Sequence, residues 1–343
     1  MRTDTFQLPS KKSVRKAGIS LRDGVDDEKT RKIISEWRSA HSYPINTIQA
    51  LIRKKIREGK FSSTLIAQRL KRLASIQTKL QRFSDMCLDR MQDLGGIRVI
   101  FPDMVDLRRF YSLLQRSNVK HQFVESPHDY IACPKKDGYR SFHQVIKYES
   151  KRFPNLNGLC IELQLRTKLQ HAWATAVETL GIIENTSFKT GCGSEAYKRF
   201  FKLCSALFSI EEKEPILEEY RNFDKETIVN EFKSLDAKLN VLSKLDNIVV
   251  ASKNIEGNTK FEKGGYQVLV TDAQQKVVSL VQFTKNQLNE AQLYYSAQER
   301  ETKDQSEKSV VMISVSSLHD LKQAYPNYFL DTKYFLEKLK KYR

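Results

Sequence analysis

The sequence contains no CxxC pair, and its five cysteines (Cys87, Cys133, Cys160, Cys192 and Cys204) are odd in number. This excludes a closed disulfide framework and a paired-cysteine zinc site, leaving ordinary reduced thiols. Long apolar runs are missing as well: none approaches the roughly 18 residues needed to cross a bilayer. The opening stretch MRTDTFQLPSKKSVRKAG lacks the apolar centre of a secretion signal, so a cytoplasmic location is expected. There is no internal repeat and no low-complexity tract, so neither a repeat architecture nor a disordered chain is implied.

Charge is plentiful but unevenly placed. The net charge is +17. Residues 1–200 hold 37 Lys and Arg against 20 Asp and Glu, whereas residues 201–343 hold 21 against 21. The positive field of the first part suits a polyanionic partner such as a nucleotide or RNA, although a merely solvated basic face has the same composition.

Apolar spacing divides the 343 residues into regions. Residues 1–60 read as a helical preface, with Pro44 separating two helices. Residues 61–210 carry a predicted helix over 63–82, a buried strand GGIRVIF at 95–101, a helix over 103–117, strands at 129–133, 141–148 and 158–166, and a helix from Lys168 to about Leu180. Residues 211–245 form a helical connector. Residues 246–343 offer strand-like runs at 247–252, 266–272, 276–283 and 309–316, with helices over 286–300 and 331–341. The expected class is α+β: a mixed β-sheet flanked by helices, followed by a second small α+β domain.

Four stretches can carry chemistry. In RLKRLASIQTKL, Lys71, Ser75 and Lys79 fall on one face of the predicted helix, a row of cations and a hydroxyl suited to phosphates. In DRMQDLGGIRVIF, Asp93 precedes the strand as a ligand for a hard cation, or as a turn cap, and Arg98 lies within it. In DYIACPKKDGYRSFHQV, Gly138 permits a bend, Tyr139 offers a ring for a base, and Lys135, Arg140 and His143 offer donors to phosphate. In CIELQLRT, Glu162, Gln164 and Arg166 share one strand face, opposite Ile161, Leu163 and Leu165. Glu162 can complete a metal site or accept a hydroxyl proton.

In order, RxKxxxSIxxK, DxxGxRV, PKxxGYxSxH and ExQxRTxxxH (residues 69–79, 93–99, 134–143 and 162–171) resemble the synthetase domain of the RelA/SpoT family, a nucleotidyltransferase-like fold. The resemblance covers about residues 30–185. It implies an ATP-dependent pyrophosphokinase. Arg69 and Arg98 would flank the adenine, while Lys71, Ser75 and Lys79 would hold ATP phosphates. Asp93 and Glu162 would bind Mg2+, and Glu162 would also activate the acceptor hydroxyl. Tyr139 would stack on the acceptor base, and Lys135, His143, Gln164, Arg166 and His171 would line its pocket. Asp137 stands where alarmone synthetases commonly carry asparagine, which leaves the acceptor open. No hydrolase pattern precedes the domain.

The layout beyond it resembles CapRel-type fused toxin and antitoxin proteins of antiviral defence, with a pseudo-zinc-finger-like C-terminal domain. That resemblance implies tRNA modification at the 3′ CCA end, autoinhibition through Tyr325 and Tyr328, and release by a phage structural protein such as a major capsid protein. A stand-alone synthetase using GDP, GTP or adenine nucleotides, and an RNA-binding protein without catalysis, are the alternatives.

Overall fold

A computed structural model describes residues 8–25, 27–124, 126–184, 194–246, 265–272, 274–275, 277–302, 305, 308–315, 317–326 and 332–343. The chain opens with helices α1 (Lys11–Arg22), α2 (Glu28–Ala40) and α3 (Ser42–Glu58). Ser10 and Asp27 cap the first two by accepting backbone N–H groups of Ser13 and Thr30. Pro44 sits in the first turn of α3, where the N–H it lacks has no intrahelical partner to lose. There follow β1 (Leu65–Leu70), α4 (Leu73–Arg82), β2 (Gly95–Phe101), α5 (Met104–Gln115), β3 (Gln122–Phe123), β4 (His128–Asp129), β5 (Phe142–Lys147) and β6 (Cys160–Thr167). Helices α6 (Lys168–Ile183), α7 (Glu195–Glu212), α8 (Lys225–Leu239) and α9 (Val241–Asp246) lead to β7 (Tyr266–Asp272), β8 (Val277–Phe283), α10 (Leu288–Glu301), β9 (Lys308–Ser314), α11 (Leu318–Ala324) and α12 (Lys333–Lys340).

All the described strands belong to one mixed sheet, in the order β3-β5-β6-β2-β1-β9-β7-β8, with β4 paired to β5. Only β2 and β6 run parallel; the other pairs are antiparallel. The expected α+β class with a mixed sheet and flanking helices holds. Strands β7, β8 and β9, expected in a separate small domain, instead continue the common sheet, because Gln68 and Arg69 of β1 pair with Ser314 and Ile313 of β9. The run 247–252 lies outside the described residues.

The predicted helix over 63–82 is corrected to a strand, a turn and a shorter helix. Apolar residues at 65, 66, 67, 70, 73 and 76 satisfy either period, and β1 gains six paired positions along β2 by being extended. Of the strand expected at 129–133 only Asp129 is extended, at the end of β4. The Asp129 carboxylate accepts the N–H groups of Ile131 and Ala132 and folds the chain into a turn.

Three cores hold the layers together. The largest lies between the sheet and α1, α2, α3, α5 and α10. A second joins α6, α7, α8, α9 and α12. A third lies where α11 and Tyr325 cover Ala67, Leu269, Val311 and Ile313. The C-terminal residues therefore enter all three.

His41, at the junction of α2 and α3, is buried and directs Nδ1 to the Trp37 carbonyl 2.8 Å away. Burial pushes its pKa down to about 4, against the weaker pull of that bond. A depressed folded value means stability that is full above the unfolded value near 6.5 and lost as pH falls towards 4. The size is about 3 kcal/mol at ~1.4 kcal/mol per unit. Urea unfolding at pH 7.5 and pH 4.5 should show this loss in the native chain and a smaller one in His41→Gln.

Candidate active site

Sheet register sets the site. Arg98 pairs across to Gln164, and Gln164 to His143; Arg69 pairs to Gly96, and Gly96 to Glu162. Since residues two apart share a face, Arg69, Arg98, His143, Glu162, Gln164 and Arg166 all occupy one side of the sheet. The other side carries the buried Ile97, Val99, Ile161, Leu163 and Leu165.

At one end of this face two lysines converge on a carboxylate. Lys71, in the turn before α4, and Lys79, within α4, place Nζ 2.9 and 3.0 Å from Asp93 Oδ2. Ser75 lies between them along the helix and is half-buried. Burial pushes the Asp93 carboxyl up, but the two ammonium groups outweigh it and hold it below its usual value. Burial likewise lowers Lys71, against Asp93. Asp93 Oδ1 is buried without a hydrogen-bond partner. An ionised, hard oxygen with unused acceptor capacity fits a magnesium ion, which needs one or two carboxylates beside phosphate and water. Among the described residues no group of three or more His, Cys, Asp or Glu gathers as a metal site, so such an ion would depend on phosphate oxygens for most of its shell.

Next to this pair is a closed ring of hydrogen bonds. His143 Nδ1 lies 2.9 Å from Glu162 Oε1, and Gln164 Nε2 donates to Glu162 Oε2 at 2.6 Å. Arg166 donates to Gln164 Oε1 at 3.3 Å and to the Tyr139 hydroxyl, which lies 2.9 Å from His143 Nε2. One proton arrangement satisfies every member: His143 is neutral, donates from Nδ1 to Glu162 and accepts at Nε2 from Tyr139. Burial lowers His143, against the attraction of Glu162. For Glu162, burial acts upwards, but donation from His143 and Gln164 and the charge of Lys71 hold it far below the usual carboxylate range. Lys135 Nζ stands over the Tyr130 and Tyr139 rings at 4.2 and 5.1 Å.

The loop geometry is fixed by Gly138, with φ +91° and a position where a Cβ would come within 3.1 Å of Ser205 and 3.2 Å of Trp173. Asp137 Oδ1 accepts the Tyr139 N–H at 2.9 Å. That oxygen is the one an asparagine would also supply, so the departure at 137 keeps the turn. Arg140, expected to reach phosphate, is turned inward: it donates to Ser205 Oγ and to the carbonyls of Ile131 and Pro215.

At the other end of the face the C-terminal segment closes over the sheet. Arg98 donates to the Ala324 carbonyl at 3.5 Å, and the Tyr325 hydroxyl donates to the Gln68 carbonyl at 2.8 Å. Burial, then Arg166 and Arg69, pushes Arg98 down to about 10. His171 Nε2 lies 3.1 Å from the Gln323 carbonyl, and burial beside Arg98 and Arg166 keeps it well below its usual value. His171 thus stands with Arg98 and α11, within the field of Arg166 from the Tyr139 ring. Tyr328 lies outside the described residues.

Residues 68–190 match the family model described as the region found in RelA / SpoT proteins. This segment is thus similar to the RelA / SpoT region. The chain is 30% identical over 142 residues to the GTP pyrophosphokinase YjbM of Bacillus subtilis, covering 39% of this chain and 66% of that protein. It is 30% identical over 173 residues to the uncharacterized protein Rv1366 of Mycobacterium tuberculosis, covering 50% of this chain and 58% of the relative. The chain therefore spans less than two thirds of the length of these relatives. Among solved structures it is similar to small alarmone synthetase 1 of Bacillus subtilis bound to its product pppGpp, at 24% identity and a TM-score of 0.43, covering 55% of this chain and 94% of the other.

Sequence reasoning missed one wall of the candidate site. A cavity of about 240 Å³ opens beside Tyr139, lined by Trp173, Ala174, Val177 and Phe201 and by the charged Lys136, Asp137, Glu178, Glu195, Lys198 and Lys202. The available signal was the pair Lys198 and Lys202, four apart on α7, behind Trp173, two residues after His171. No described helix is long and apolar enough to cross a membrane.

Proposed function

We propose that the chain transfers the β,γ-pyrophosphate of ATP to the ribose 3′-hydroxyl of a guanine nucleotide. The observation that carries this is the ionised Glu162 held in a fully satisfied ring with Tyr139, on the same sheet face as Arg98 and next to the Lys71, Lys79 and Asp93 cluster. ATP phosphates would draw the two lysines from Asp93, freeing it to hold magnesium together with Glu162. The ion would neutralise charge on the transferring group. So depressed a carboxylate is a weak base. Glu162 therefore accepts the hydrogen bond of the acceptor hydroxyl and orients it; in a loose transition state the bond to the α-phosphate breaks first, AMP departs with the electron pair, and the hydroxyl proton passes to Glu162, and from it to water, only as the new ester bond closes. Tyr139 borders the cavity lined by Trp173 and Phe201, where a base can stack, and Lys136 in its lining suits an acceptor phosphate.

Named relatives that are GTP pyrophosphokinases favour a guanine nucleotide over the tRNA 3′ end. A tRNA acceptor rests on the basic first 200 residues and the overall layout, and a phage capsid trigger on the layout alone. Autoinhibition has local support: Ala324 and Tyr325 occupy the Arg98 side of the face, where an adenine would have to lie against the guanidinium.

The test is transfer from γ-labelled ATP with magnesium, offering GDP, GTP, ATP and deacylated tRNA in parallel to the native chain and to Tyr325→Ala. Label is expected on GDP and GTP, with the variant faster by about tenfold as the open population rises. Label confined to tRNA would overturn the acceptor assignment, and no label anywhere would overturn the pyrophosphokinase. A variant no faster than the native chain would remove the inhibitory role of Tyr325.

A further inference from the structure

Three segments distant in sequence meet at the first turn of α4. Along one side of α10, Gln292 donates to Ser42 Oγ at 2.9 Å, and the Tyr295 and Glu299 side chains meet Arg38 of α2. Arg38 donates to Glu299 Oε2 at 2.8 Å and to the Tyr295 hydroxyl at 3.0 Å, and that hydroxyl donates to Glu299 Oε1 at 2.7 Å. The same Oε1 accepts the backbone N–H of Leu73 at 3.0 Å. Leu73 is the first residue of α4, and Arg72 before it supplies no side-chain cap. The Arg72 guanidinium instead reaches Ser309 of β9. The Arg38 and Glu299 side chains are only 5% and 11% exposed, so breaking one contact would strand a buried charge.

We propose that Glu299 is a positioning residue for the donor-phosphate side of the site. It caps the helix that carries Ser75 and Lys79, and so fixes how Lys71, Ser75 and Lys79 stand towards Asp93. A carboxylate at this helix end is favoured by the backbone dipole, and Arg38 cancels its charge so that it does not repel an incoming triphosphate. The inference rests on the reading of this face as an ATP site. It gives α10 a constructive part in binding, opposite in sense to the covering of Arg98 by residues 324–325.

The experiment uses the full chain with Glu299→Ala and Glu299→Gln. The alanine variant should raise KM for ATP by about tenfold, with kcat and acceptor KM within about twofold. The glutamine variant should restore part of the loss, because its amide oxygen still accepts the Leu73 N–H while Arg38 is left without its counter-charge. Amide hydrogen exchange over residues 73–76 should quicken in the alanine variant alone. An unchanged KM for ATP, a loss confined to kcat, or unchanged exchange in α4 would overturn the role of Glu299. If the native chain transferred no pyrophosphate, the functional reading would fall. Exchange, with the Kd for a non-hydrolysable ATP analogue, would still decide what Glu299 does.

Discussion

Glu162→Gln is expected to lower pyrophosphate transfer by about a thousandfold while leaving ATP binding within a few-fold of the native chain. The substitution removes the negative charge that orients the acceptor hydroxyl. It also places an amide NH2 opposite Gln164 Nε2, where the native ring has an acceptor facing a donor. Gln164 must then rotate and give up Arg166, and the Tyr139 hydroxyl loses part of its support. Stability gives a second readout. Because the folded Glu162 value is depressed, its ionised form stabilises the fold above the unfolded carboxylate value, and this is lost as pH falls through the folded one. The variant should therefore be less stable than the native chain at pH 7, and the gap should close in strong acid. Transfer within threefold of native would remove Glu162 from the mechanism.

Ending the chain at Asp246 is expected to abolish cooperative folding rather than release an active enzyme. The cut strips β9 from β1 and leaves the backbone of Leu65–Leu70 as an open edge beside Arg69. It also withdraws the fully buried Phe335 and Leu339 from the core around Phe201 and Phe208, and Tyr325 from the core over Ala67. At about 3 kcal/mol for each large buried side chain, these three alone remove about 9 kcal/mol, comparable to the roughly 5–15 kcal/mol that holds a domain folded. Size-exclusion chromatography and a thermal melt followed by circular dichroism should show aggregates and no sharp transition. A soluble, monodisperse truncation with faster transfer would instead make the C-terminal third a detachable lid. The proposed inhibition by residues 324–325 is thus better probed by point substitution than by deletion.

Much of the site was legible because its chemistry is written in short-range patterns. The alternation in CIELQLRT gave the polar face directly, and GGIRVIF gave β2 with its boundaries. Lys71 and Lys79 meet at Asp93 even though the helix argument that joined them fails for Lys71, since Lys71 precedes α4. What escaped depends on distant partners. Arg140 looked like a phosphate ligand because nothing nearby in sequence reveals Ser205 and the Pro215 carbonyl waiting for it. The union of β1 with β9 was hidden for the same reason: a strand's period tells which face is apolar and says nothing of which neighbour it will take. Helices α1 and α11 were not anticipated; α11 has only seven residues, too few for a period to show.

The single sheet also has a consequence for the moment of birth. A chain leaves the ribosome N-terminus first, and units fold as they emerge. Arg69 and Arg98 appear early, but the strand that borders Arg69 is β9, and the residues that cover Arg98 follow it. Until those last residues are made, β1 has a neighbour on one side only. This face of the sheet is therefore completed late in synthesis, when β9 and then the residues over Arg98 leave the ribosome.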